Sequence, residues 1–250
     1  MPTEGLQHLS SLKTLKFEEC PKLQPAVTII PANDCSLALS PQELHIRNCG
    51  DPGQIISYIA AGSTSLQKLV IEECEELISL ESLVALHHLD CLAVPKCPKL
   101  VQTTAAPSIK GESFTLTINM LVVDDPLLLL TEPLRNLTSV HNLEIKNCRR
   151  LDTLAGKLEA WLLQNSSLLE SVVLRRAVSL QSLPPSIQAL YSLKYLRLED
   201  PDKLPSLPQL PLSLERLIIR GCNDTLKERC QKDDGADWPN IRHIPRIYKD

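Results

Sequence analysis

Apolar residues recur along this chain at a fixed spacing, with polar residues between them. The first run is Leu6, Leu9, Leu12, Leu15, Phe17, Cys20 and Leu23, which spells LxxLxxLxxLxLxxCxxL. The pattern returns as Leu66, Leu69, Ile71, Cys74, Leu77 and Leu80. It returns again as Leu83, Leu86, Leu89, Leu92, Val94, Cys97 and Leu100. Later copies run Leu134, Leu137, Val140, Leu143, Ile145, Cys148, Leu151 and Leu190, Leu193, Leu196, Leu198, Pro201, Leu204. The last reads Leu214, Leu217, Ile219, Cys222, and two degenerate copies centre on Leu44 and Val172. The first apolar residue of each LxL pair falls at 15, 44, 69, 92, 121, 143, 172, 196 and 217, in steps of 21 to 29 residues.

The alternation inside LxL predicts a short strand with both apolar residues on one face and the residue between them on the other. One copy is too small to bury its own leucines, so neighbouring copies must stack, each strand parallel to the next. A step of about 20–29 residues is that of leucine-rich repeats. The expected fold is therefore an α/β leucine-rich-repeat solenoid, or horseshoe, with a parallel sheet on its concave side. Its convex side is expected to be irregular or short-helical. About nine repeats would fill residues 1–227, and 228–250 would cap the array. Ile55, Ile56 and Ile59 predict a helix before the third strand, and Leu158, Trp161 and Leu162 one before the seventh. Residues Val101 to Ser113 read as an irregular loop, and the copy at Leu121 and Val123 is the least regular.

Nine cysteines in 250 residues acquire a meaning within this frame. Cys20, Cys49, Cys74, Cys97, Cys148 and Cys222 share one slot, three residues after the second strand apolar residue. That slot takes Asn or Cys in leucine-rich repeats. A small side chain fits where the chain turns off the strand, and its S–H can donate weakly to a backbone carbonyl. Pro21, Pro98 and Pro126 follow the turn and prevent the strand from continuing. No CxxC spacing suggests zinc or redox chemistry, and no signal peptide opens the chain, so reduced thiols in the cytoplasm or nucleus are expected. The sequons at Asn136, Asn165 and Asn223 are discounted for the same reason. No apolar run reaches the length of a membrane span.

The LxxLxLxxCPxL copies, such as Leu12 to Leu23, resemble the cytoplasmic repeats of plant intracellular nucleotide-binding, leucine-rich-repeat (NLR) disease-resistance proteins, above all the cereal coiled-coil type. The C-terminal segment is similar to the closing segment of many such receptors: Leu226-x-x-Arg229-Cys230, then Gly235-x-Asp237-Trp238-Pro239-x-Ile241-x-His243-Ile244-Pro245. The resemblance implies a protein-recognition array in plant defence, sensing a pathogen effector or holding the receptor's own nucleotide-binding domain inactive. That domain's phosphate-cradling G-x-x-x-x-G-K-[ST] loop is absent, so nucleotide binding does not carry over. Leu6 begins a copy with no polar capping unit before it, which fits a C-terminal piece of a longer receptor or a truncated relative. Extracellular plant repeat receptors carry NxLxGxIPxxL, which does not occur here. The alternative is the substrate-recognition repeats of a ubiquitin-ligase adaptor, whose upstream helical motif this sequence lacks.

Recognition by such an array would use the outward strand positions. The third to fifth copies present small or apolar residues there: Val70, Cys91, Ala93, Pro95, Met120 and Val122. The later copies present Lys146, Val173, Arg175, Tyr195, Arg197, Arg216, Ile218 and Arg220. Arginine and tyrosine are enriched in interface cores, so these eight residues are the candidate protein-binding site, and an acidic protein surface is the expected ligand. The formal charge of −4 and an aromatic content of 3% argue against nucleic acid. His87, His88, Cys91 and Cys97 are the one metal-like cluster, but Cys97 is committed inward and Cys91 outward. The carboxylates of 72–76 and Asp124-Asp125 sit on strand exits without an opposed environment. No catalytic motif and no cofactor site is expected, and Trp238, Ile241, Ile244 and Ile247 are expected to cover the last repeat.

Overall fold

The computed structural model describes residues 12–20, 41–50, 52–62, 65–102 and 116–250. They belong to two compact units, Met1–Ile118 with Thr131–Leu137, and Asn119–Leu130 with Thr138–Asp250. The leading leucines of the first copy, Leu6 and Leu9, with Pro21 and Leu23, lie outside the described residues. So does most of the expected loop, while Val101 and Gln102 end a short helix.

In the first unit, β1 (Thr14–Glu18), β2 (Glu43–Arg47), β3 (Lys68–Glu72) and β4 (Cys91–Val94) pair in chain order, all parallel. In the second, β5 (Met120–Val123), β6 (Asn142–Ile145), β7 (Ser171–Leu174), β8 (Tyr195–Glu199), β9 (Arg216–Arg220) and β10 (Arg246–Lys249) do the same. Every LxL pair lies in one of the first nine strands, the irregular one at Leu121 and Val123 included.

The register follows the leucines. Leu15 stands opposite Leu44, Leu44 opposite Leu69, and Leu69 opposite Leu92. Leu121, Leu143, Val172, Leu196, Leu217 and Ile247 form the matching row of the second unit. A slip of one residue would turn each of these side chains to water, so the burial itself fixes the register. Both inward residues of β2 to β9 are buried, whereas Leu15 and Phe17 of β1 are half-buried.

The return segments are short helices and turns. They are α1 (Pro52–Gly62), α2 (Lys99–Gln102), α3 (Lys157–Gln164), α4 (Asp224–Arg229) and α5 (Trp238–Ile241), with single 3-10 turns between. Both helices expected from apolar spacing are present. Ile55, Ile56 and Ile59 of α1 are buried, and α1 packs on the 3-10 turn Glu81–Ala85. Trp161 of α3 is buried where the helix meets the turns Pro126–Leu130 and Pro185–Ala189. Asn165 ends α3 fully buried, its side-chain N–H donating to the Trp161 carbonyl at 3.0 Å and its oxygen accepting from the Val140 amide at 3.2 Å. That sequon is therefore closed to modification in the folded chain. Asn223 is also engaged, accepting from the Leu226 amide at 2.8 Å as the N-cap of α4.

The strand exits are alike. Glu19, Asn48, Glu73, Lys96, Arg176 and Asp200 all have positive φ, as does Gly221. The left-handed residue swings its amide onto the next strand: Glu19 donates to Arg47, Asn48 to Glu72, Glu73 to Pro95 and Asp200 to Arg220. The slot thiol follows directly. Cys49 donates to the carbonyls of Arg47 at 3.4 Å and Phe17 at 3.6 Å, and Cys74 and Cys97 repeat the arrangement one strand on. Burial pushes the Cys148 thiol up to about 12. Cys222 departs from the others by donating forward, to Asp250 at 3.4 Å.

The C-terminal segment is built differently from the expected apolar lid. Ile241 and Ile244 are buried, but Trp238 and Ile247 are only half-buried. The closing segment also adds β10 beside β9, a strand that apolar spacing did not predict. Asp237 anchors it from a buried position, accepting from the Leu207 amide at 2.8 Å and pairing with Arg229 at 2.7 Å. Asn240 donates to the Leu207 carbonyl at 2.8 Å, and the His243 ring meets the Pro211 carbonyl at 2.9 Å.

Candidate functional site

All eight candidate residues come together on the outward face of the second unit. Lys146 and Arg175 stand at the exits of β6 and β7. Val173 lies in β7, Tyr195 and Arg197 in β8, and Arg216, Ile218 and Arg220 in β9. Strand pairing arranges them in rows. Tyr195 neighbours Arg216, Val173 neighbours Arg197, and Arg197 neighbours Ile218. Arg220 is exposed and the other seven are half-buried. The small outward residues of the earlier strands are less available than alternation suggests: Pro95 and Val122 are buried, although both occupy outward positions.

The five cations expected on this face are present, and two of them are paired. Arg175 lies between two carboxylates, 2.6 Å from Glu144 and 2.9 Å from Glu199. Glu144, then Glu199, holds the Arg175 guanidinium above its ordinary pKa, against the opposing effect of burial. Arg197 also pairs with Glu199. Glu199 thus serves two arginines, and Arg175 and Arg197 belong to an internal network. Lys146, Arg216 and Arg220 make no ion pair among the described residues.

Residues of the C-terminal strand, absent from the expected site, complete the face. Arg246 stands beside Arg216 and Tyr248 beside Ile218. An open groove of about 550 Å³ runs over β9 and β10, lined by Arg216, Ile218, Arg220 and Tyr248, with Asp250 at one end. Lys249 also lines the groove, with its ammonium held 2.6 Å from the Cys230 carbonyl. Arg246 keeps a loose partner in Glu215 at 3.7 Å. The only sequence signal for this strand is the alternation in Arg246-Ile247-Tyr248-Lys249, where one apolar residue points inward.

The groups on offer are guanidiniums, which donate hydrogen bonds in a planar fork, beside aliphatic and phenolic surface. His87 and His88 are exposed while Cys97 is buried. Among the described residues no three His, Cys, Asp or Glu side chains converge to hold a metal ion. No helix among them is long and apolar enough to cross a membrane. Compared with known proteins, the chain matches no family model and no curated protein.

Proposed function

We propose that the chain is a leucine-rich-repeat array whose outward, concave strand face binds another protein, as part of a plant intracellular immune receptor. The ligand is a pathogen effector, or the receptor's own nucleotide-binding domain in the resting state. The observation that carries a binding role is the late outward face, where Arg216, Arg220, Tyr195 and Ile218 stand half-buried or exposed on a sheet fixed by buried leucines. Unpaired arginines beside aromatic and aliphatic side chains are what protein interfaces concentrate at their centres. The receptor assignment rests on the Gly235-to-Pro245 segment and its resemblance to receptor C-termini. Several of its residues work together here, with Asp237, Asn240 and His243 each bonded to the preceding copy.

The test is the transcript upstream of the Met1 codon. The receptor reading expects an in-frame nucleotide-binding module with a phosphate-cradling glycine-rich loop. An adaptor-binding helical motif in its place would favour the ubiquitin-ligase alternative. An upstream sequence with neither would overturn both assignments.

A further inference from the structure

The groove over β9 and β10 carries a specific arrangement of charge. Arg216 and Arg220 are four residues apart on one strand, so they face the same way about 13 Å apart at the usual rise per residue. Midway between them Ile218 lies beside Tyr248, an apolar floor two side chains wide. No carboxylate forms an ion pair with either arginine among the described residues. Glu199, next to Arg220 by register, is held by Arg175 and Arg197. Glu215 leans to Arg246, and Asp250, at the Arg220 end of the groove, is turned to the Gly221 amide at 3.1 Å while keeping its charge. Two guanidinium groups without an ion pair in an open groove, against a single carboxylate at its end, favour an anionic occupant.

We propose that this groove binds an extended acidic peptide segment of the form carboxylate-x-apolar-x-carboxylate. The proposal rests on the protein-binding reading above and names its ligand chemistry. An extended chain places alternate side chains on one face with the period of the strands beneath. Two carboxylates four residues apart therefore span the same distance as Arg216 and Arg220, and the middle side chain meets Ile218 and Tyr248. A segment of the opposite charge, or one lacking the central apolar residue, forfeits one half of this complementarity. The network at Arg175 is not part of the contact.

Fluorescence anisotropy of the full chain with labelled heptapeptides tests this. The probes are Ser-Glu-Ser-Leu-Ser-Glu-Ser, its twin with both Glu changed to Lys, and a third with Leu changed to Ser. The Glu-Leu-Glu peptide is expected to bind at least tenfold more tightly than either control, and more weakly as salt is raised. Arg216→Gln and Arg220→Glu should each weaken it by about tenfold, with the circular dichroism spectrum unchanged. Equal binding of the three peptides, no binding up to 1 mM (roughly the weak limit of −4 kcal/mol), or indifference to both substitutions would overturn the proposal. A nucleotide-binding module upstream together with no peptide binding would sink this inference and leave the receptor reading standing. Peptide binding with no such module would do the reverse.

Discussion

A single side chain on the outward face can serve either binding or the sheet, and Arg175 serves the sheet. It joins three adjacent strands by bridging Glu144 on β6 and Glu199 on β8 from its place at the end of β7. Its side chain is 37% exposed, so screening by water limits the gain. Arg175→Met is expected to cost about 1 kcal/mol in denaturant unfolding at low salt, and less at high salt. A double-mutant cycle with Glu144→Gln should return a coupling of about 0.5 kcal/mol or more; zero coupling would mean that the contact contributes nothing. Arg175→Glu would set three carboxylates together, so loss of binding in that variant would report damaged structure as readily as lost contact. The neighbouring Arg176 illustrates a backbone effect, with φ of +55°. A β-branched residue tolerates that region poorly, so Arg176→Val should destabilise by about 1–2 kcal/mol and Arg176→Gly by far less. Equal effects of the two would argue against a backbone cause.

At the level of elements, β10 holds its place through packing and polar anchors, with little apolar burial of its own. Gly235 lies against the backbone that ends α4. A Cβ there would collide with the Arg229 carbonyl oxygen and come within 2.6 Å of the Gln231 nitrogen. Neither atom can rotate aside, so Gly235→Ala must shift α4 or the chain leading to Asp237. It is expected to destabilise by about 1–3 kcal/mol, as overpacking does, and to raise amide exchange in Arg246–Lys249 before the rest of the sheet. Unchanged exchange there would show that β10 does not depend on this close approach. Charge on the edge also matters: Arg246 and Lys249 make β10 a poor template for pairing with another chain.

Over the whole molecule, ion pairs link successive copies in both units, and pH should act on them together. Lys96 and then Arg47 hold the Glu73 carboxyl below its ordinary 4.5. His45 and then Lys68 do so for Glu43, and Lys194 for Glu170. A carboxylate with a lowered folded pKa contributes stability that is present above its unfolded value and is lost as pH falls through the folded one. The urea midpoint is therefore expected to hold from pH 7 to 5 and to fall below about 4.5, with a shallower fall in Glu73→Gln. An acid response identical to the parent's would exclude Glu73 as a contributor.

Strand positions and pairing register were written in the chain, because burial of LxL pairs is a local pattern that each copy repeats and that a one-residue slip would invert. The thiol slot was legible for the same reason. The outward rows were legible too, and the row from Arg175 through Glu199 to Arg220 shows a carboxylate flanked by two arginines. Which arginine it joins was not legible, because partners 24 and 31 residues away are chosen by rotamer and lateral spacing, as Arg175 chooses Glu199 and Glu144. β10 escaped notice because one inward isoleucine makes no periodic signal, and the chain leading to it is placed by Asp237 bonding to Leu207 of a preceding copy and by Gly235 packing against the backbone that ends α4. Inward burial is set by sequence period; which surface charges remain unpaired is set by contacts that exist only once the copies are stacked.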